Sequence, residues 1–253
     1  LKHNIFVIED SACGFGSKIN DKHVSNFGNT GCFSFHPRKS ITTGEGGMIC
    51  TNDKILAEKL RSLRNHGAQI SDLQRHLGPR PYLLADHNEA GYNFRMTDIQ
   101  GALGLAQMER AEAIIEERQQ IAFKYNEAFK NLDWLSIPKV PVGYQHGYQS
   151  YPCIFEPGLI KNIDPVNETS KIEEIKIMRN EFMEKLQKLG ISTRPSTHAV
   201  HMLNYYKYHY KTYPEQFPNS MIANNCSISF PLFNGMNDEE IDYVIENVKS
   251  MKL

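Results

Sequence analysis

Residues 33–47 read FSFHPRKSITTGEGG. The alternation Phe33-Ser34-Phe35-His36 has the period of two of a β-strand, so the two aromatics share one face and Ser34 and His36 share the other. If the phenylalanines face a core, the polar pair faces a site. Pro37 then turns the backbone and Lys39 is presented just beyond the strand end. Gly44, Gly46 and Gly47 let another group approach the chain closely before the next strand begins. A lone lysine beside an arginine is ordinarily a solvated charge, so the meaning of Lys39 depends on what else reaches that edge.

Upstream, the apolar run Ile5-Phe6-Val7-Ile8 ends in Glu9-Asp10, the pattern of a strand buried on both faces of a parallel sheet with polar groups at its carboxyl end. Open α/β sheets gather ligands at that end. Asp10 closing one strand and Lys39 following another can therefore meet at one sheet edge. An amine and a carboxylate so placed are what pyridoxal 5'-phosphate (PLP) chemistry requires, one to hold the aldehyde and the other to keep the pyridine nitrogen protonated.

The bulk properties agree with an enzyme acting on small molecules. The chain has 253 residues, 40% of them hydrophobic, enough to bury a real core. With 28 Lys plus Arg against 29 Asp plus Glu, there is no net field to hold nucleic acid or an anionic membrane. The five cysteines are scattered without a Cys-x-x-Cys pair, which points to a reducing cytoplasm and no structural zinc. No run approaches the roughly 20 apolar residues of a membrane helix.

Strands are predicted at 5–8, 31–35, 47–51, 148–155, 191–193 and 227–230. Helices are predicted from an Asp53 cap to about Arg64, from near Thr97 to Met108, from about Arg110 to Leu132, from Glu173 to Leu189 with a stop at Gly190, and from Asp238 to Met251. The polar stretch 67–88 is expected to be loop. Two prolines and two glycines in 138–147 set the expected boundary between a first domain, 1–137, and a small α+β domain, 138–253.

The blocks IEDSACGFGS, FSFHPRKSITTGEGGMICTND, RNHG, GYNFRMTDIQGALGLAQM and TRPSTHAVH occur in the order found in DegT/DnrJ/EryC1/StrS sugar aminotransferases, and the chain resembles that family most closely up to about Gln107. The resemblance implies an α/β fold: the PLP-dependent transferase fold type I, with a mixed, mostly parallel sheet and a small C-terminal α+β domain. It implies that Lys39 holds the cofactor as a Schiff base and moves the proton, that Asp10 pairs with the pyridine nitrogen, and that Ser34 binds the phosphate. Asn93, of the GYN motif, would reach the phosphate in a neighbouring subunit, which requires a homodimer with shared active sites. Taken alone, Asn93 reads first as a turn residue after Gly91; the surrounding block reverses that preference. The implied reaction moves the amino group of glutamate to a keto-deoxysugar nucleotide, for amino-sugar and surface-polysaccharide biosynthesis.

Other residues are open to two interpretations. His36 either overlooks the site or is a satisfied polar residue at a strand end. Arg95, Arg194 and His198 are candidate substrate contacts, the latter two on a loop that would line the sugar-nucleotide pocket. His198 and His201 form His-x-x-His with no third ligand at suitable spacing, so no metal is expected. Cys13 stands where many family members carry Gln or His, and is expected to be a buried structural thiol. The tyrosines from Tyr205 to Tyr213 are expected to pack rather than stack on nucleic acid.

Members of the family carry a preceding portion with a Ser-Gly-Thr phosphate loop and an aromatic stacked on the pyridine. The chain opens at Leu1 without Met, so it reads as an N-terminally truncated fragment that should bind PLP weakly or not at all alone. Two other functions compete: a PLP-dependent sugar dehydratase, against which Lys39 argues because those proteins carry histidine there, and a silent partner or regulatory module.

Overall fold

A computed structural model describes residues 3–251. The chain forms two compact units: residues up to Ala113 together with Val142–Gly147, and Ile114–Pro141 together with everything from Tyr148 on. The expected boundary at 137/138 falls inside the second of these.

In the first unit, β1 (Ile8–Asp10) pairs in parallel with β4 (Thr30–Ser34), placing Asp10 opposite Cys32. Antiparallel to β4 runs β5 (Gly47–Cys50), so this three-stranded sheet is mixed. Between β1 and β4 lies a hairpin of β2 (Lys18–Ile19) and β3 (Lys22–His23). Its two-residue turn, Asn20-Asp21, takes positive φ at both positions, which suits the right-handed twist of the flanking strands. On its other side β2 pairs with Tyr144–Gln145, which brings distant sequence back into the unit.

The strand expected at 5–8 is displaced to 8–10, and the run is not buried. Ile5, Phe6, Val7 and Ile8 are 69, 54, 48 and 65% exposed. The reason is local: among the described residues β4 is the sole partner of β1, so the outer edge of β1 is unpaired. What pins β1 is Glu9. Its carboxylate accepts from the backbone N–H groups of Ser25 at 2.8 Å and of Phe27 and Gly28 at 2.6 Å each. Partial burial pushes this carboxyl upward, but the three N–H donors, with Lys22, outweigh it and hold its pKa below the usual range. A carboxylate with a lowered folded pKa stabilises the fold above its unfolded pKa, and that contribution disappears as pH falls through the folded value. The stability gap between wild type and Glu9→Gln should therefore be constant above about pH 5 and close on acidification. Urea denaturation across that range measures it; a gap that widens toward acid would contradict the assignment.

Helix α1 (Lys54–Leu63) starts where Asp53 accepts from the N–H groups of Ile55 and Leu56. The predicted loop 67–88 contains a further helix, α2 (Asp72–Leu77), opened by a reciprocal cap between Ser71 and Gln74; the Ser-x-x-Gln spacing carries that signal. Thr97 and Gln100 form the same cap on α3 (Asp98–Met108).

The long helix α4 (Ala111–Phe129) leads into the second unit. There β6 (Leu135–Ser136), β8 (Tyr151–Phe155) and β9 (Ser227–Phe230) form an antiparallel sheet, β7 being the Tyr144–Gln145 strand of the first unit. A four-residue helix, α5 (Pro157–Ile160), follows β8. Helices α6 (Thr169–Lys188), α8 (Pro218–Cys226) and α9 (Asp238–Ser250) complete the unit, with α7 (Asn204–Tyr210) at its surface. Tyr125, Phe129, Phe155, Phe182, Leu186 and Val248 are fully buried in its core, each stabilising the fold by about 1.5–3 kcal/mol relative to exposure. Arg118 lies one turn before Ala122 on α4 and is also buried. Its guanidinium donates to the carbonyls of Tyr148, Gln149 and Leu232 at 2.8, 2.8 and 3.1 Å and to Asn234 Oδ1 at 3.1 Å.

The strand predicted at 191–193 is absent. Pairing there reduces to a single bridge, Arg194 with Ser229, because Pro195 follows and has no N–H to extend a ladder.

Candidate active site at the carboxyl end of the parallel strands

The ladder between β1 and β4 ends with Ser11 N–H donating to the Cys32 carbonyl at 3.0 Å. Asp10 then accepts from Ala12 N–H through Oδ1 at 3.1 Å, a tight side-chain turn that carries the chain to Cys13. From the adjacent strand, Ser34 Oγ accepts from His36 N–H at 3.4 Å. The His36 carbonyl accepts from Lys39 N–H at 2.9 Å, and its Nδ1 accepts from Arg38 N–H at 3.2 Å. The two segments meet where Lys39 Nζ donates to Cys13 Sγ at 2.9 Å.

Asp10, Ser34, His36 and Lys39 are thus gathered at one sheet edge. Lys39 and Ser34 are half-buried and Asp10 is exposed. His36 takes part in the turn that presents Lys39, its carbonyl and ring nitrogen both accepting from backbone N–H groups of that turn.

Cys13 corrects an expectation. It is exposed rather than buried, because the Asp10 turn directs it toward the lysine instead of the core. By contrast Cys153 and Cys226 are buried, and burial pushes both thiols up, Cys226 to about 11. Since thiolate is the reacting form, iodoacetamide at neutral pH should modify Cys13 before either of them. Peptide masses over a time course decide this, and labelling of Cys226 ahead of Cys13 would contradict the geometry.

Asn93 and Arg95 belong to a second cluster. The segments 63–66 and 92–94 are stitched antiparallel: Tyr92 N–H donates to the Leu63 carbonyl at 2.7 Å, His66 N–H to Tyr92 at 2.9 Å and Phe94 N–H to Arg64 at 2.8 Å. Gly91 permits this approach, as a Cβ there would stand 2.2 Å from Gly67 N. Asn93 is consequently exposed, between Tyr92 and Phe94, whose rings stack at 4.9 Å although they are 64 and 70% exposed. Arg95 donates to Asn65 Oδ1 at 2.7 Å and shares with Arg61, Arg64 and Gln69 the wall of an open cavity of about 780 Å³.

In the second unit, Arg194 is held through its backbone by Ser229 and its side chain is exposed, as is that of His198. His201 is buried with its ring 4.9 Å from Phe217, so the two histidines do not act as a pair. Among the described residues no group of three His, Cys, Asp or Glu side chains is disposed to hold a metal. Tyr205, Tyr206 and Tyr210 pack on one another at the surface of α7.

An amine with one soft sulfur acceptor, beside a carboxylate and a hydroxyl at the end of parallel strands, is a donor set that suits a phosphorylated pyridine aldehyde. The sequence and structure also align with known proteins. A model of the DegT/DnrJ/EryC1/StrS aminotransferase family matches residues 1–249. GDP-perosamine synthase of Escherichia coli O157:H7 is 33% identical over 248 residues, 97% of this chain and 58% of that protein. PseC of Helicobacter pylori, an aminotransferase involved in the biosynthesis of pseudoaminic acid, superimposes with a TM-score of 0.81 at 25% identity, over 98% of this chain and 60% of its own. Spr1654 of Streptococcus pneumoniae, solved in a PLP form, superimposes with a TM-score of 0.80 at 23% identity, over 97% and 57% of the two chains. The chain spans about 60% of the length of the curated relatives it matches.

Proposed function

The chain belongs to the DegT/DnrJ/EryC1/StrS aminotransferase family, and from that membership we propose that the protein is a PLP-dependent aminotransferase that moves the amino group of glutamate to a keto-deoxysugar nucleotide. The observation that carries this is the half-buried Lys39 at the sheet edge that also bears Asp10 and Ser34. Bound there, PLP supplies the electron sink for moving an amino group. Asp10 offers a carboxylate to the pyridinium N–H. Ser34 offers a hydroxyl to the phosphate. Lys39, as a neutral amine, takes and returns the proton at the reacting carbon through Nζ.

A second copy of the chain would complete the site by bringing Asn93 to the phosphate. The exposure of Asn93 on a loop flanked by the uncovered rings of Tyr92 and Phe94 supports such a homodimer, since uncovered apolar surface of this kind marks interfaces. Arg95, with Arg61 and Arg64, would meet the anionic part of the sugar nucleotide, and Arg194 and His198 are proposed further contacts. The kinship to GDP-perosamine synthase and PseC supports amino-sugar biosynthesis, with the reaction in the cytoplasm. No described helix is long and apolar enough to cross a membrane.

The test is to incubate the complete gene product and PLP with glutamate and a panel of keto-sugar nucleotides, following 2-oxoglutarate release and the amino-sugar product by mass. Amination of one panel member supports the proposal. Dehydration without amino transfer, or no turnover with PLP bound at Lys39, counts against it.

A further inference from the structure

Two glutamines on one face of α3 hold the loop that carries Lys39. Gln107 Oε1 accepts from Thr42 N–H at 3.0 Å, three residues after the lysine. Gln100 Nε2 donates to the Glu45 carbonyl at 2.9 Å, while its Oε1 accepts from Thr97 N–H and Oγ1 at 2.9 and 3.0 Å. Between them on the helix is Gly104, where a Cβ would stand 2.9 Å from Thr43 Cγ2, and Thr43 is only 3% exposed. Positions 100, 104 and 107 follow the i, i+4, i+7 spacing of a single helical face.

The loop fixes its own shape. Phe35 N–H donates to the Gly46 carbonyl at 2.8 Å, and the Phe35 carbonyl accepts from Thr43 N–H and Thr42 Oγ1, each at 3.0 Å. Those bonds close the loop on itself where it joins β4 to β5. The glutamines tie it to α3, one by accepting from its backbone and the other by donating to it. Reacting groups lose large factors in rate when displaced by about 1 Å, and the ε-amine moves with the loop.

We propose that Gln107 and Gln100 are positioning residues for Lys39, fixing the loop on α3 through Thr42 N–H and the Glu45 carbonyl. This rests on the assignment of Lys39 as the reacting amine. The same substitution distinguishes the two sites. Gln107→Glu keeps an acceptor for Thr42 N–H. Gln100→Glu keeps both acceptor bonds of the helix cap but turns an oxygen toward the Glu45 carbonyl.

The complete gene product is measured for thermal midpoint, for the rate at which pyridoxal phosphate is trapped on Lys39 by borohydride, read from the peptide mass, and for kcat and KM. Gln107→Leu and Gln100→Glu should each slow trapping and lower kcat by about 10-fold to 100-fold, with KM for the sugar nucleotide little changed, and Gln107→Glu should restore both. Wild-type trapping and kcat in Gln100→Glu, or a Gln107→Glu as impaired as Gln107→Leu, would overturn the inference. Should Gln107→Leu not fold, the contrast between Gln107→Glu and Gln100→Glu decides alone. Failure of the wild type itself to be trapped at Lys39 would instead remove the proposed function, and this inference with it.

Discussion

Replacing Lys39 with alanine in the complete gene product abolishes both halves of amino transfer, with a loss on the order of 10⁴-fold. The side chain is half-buried and its amine donates to Cys13 Sγ at the sheet edge rather than to any part of a core, so the fold has little to lose and the thermal midpoint should barely move. Two measurements check this: exchange of label between glutamate and 2-oxoglutarate, and glutamate-dependent amination of the sugar. Both depend on a proton taken and returned at one place, so both fail together. Near-normal exchange in the variant would mean that another amine does the work and that the sheet-edge cluster is not the catalytic centre.

Arg118→Ala should lower the free energy of unfolding by about 3–5 kcal/mol. The guanidinium ties the backbone at 148–149 to that at 232 and to the side chain of Asn234. Burial pushes its pKa down and Glu117 pushes it up, and an arginine remains charged throughout the working range. The large effect comes from removing four donated hydrogen bonds at once from a largely buried place. Arg118→Lys keeps the charge but not the fork, so it should recover only part of the loss. Urea denaturation followed by tyrosine and tryptophan fluorescence measures both variants. A loss under about 1 kcal/mol for the alanine variant would show that the surrounding carbonyls find other donors.

Much of this molecule is legible in its sequence, for reasons that can be named residue by residue. The Asp53 and Thr97 caps, the Gly190 stop and the β9 strand were signalled by short-range chemistry that tertiary context did not override. The Ile5–Ile8 run was misleading because an apolar stretch announces a wish for cover, not its presence. The strand at 191–193 failed on Pro195, whose missing donor was visible all along. Within the site, the meeting of the Asp10 and Lys39 segments follows from parallel pairing alone. The destination of Cys13 does not, since a two-residue side-chain turn decides it. Gln100 and Gln107 were invisible as loop anchors because their partners are backbone atoms more than fifty positions away, and backbone atoms leave no mark in a sequence.

The strand Tyr144–Gln145 pairs with Lys18–Ile19 while its neighbours on both sides in the chain belong to the other compact unit. The polypeptide therefore passes between units three times, at 113–114, 141–142 and 147–148. Neither unit is a continuous stretch of gene, and a protein cut once anywhere in 114–141 leaves the N-terminal piece without a strand that its small hairpin needs. Genetic splitting, domain grafting or proteolytic trimming of this protein has to carry the six residues 142–147 along with the first unit, or supply them in trans.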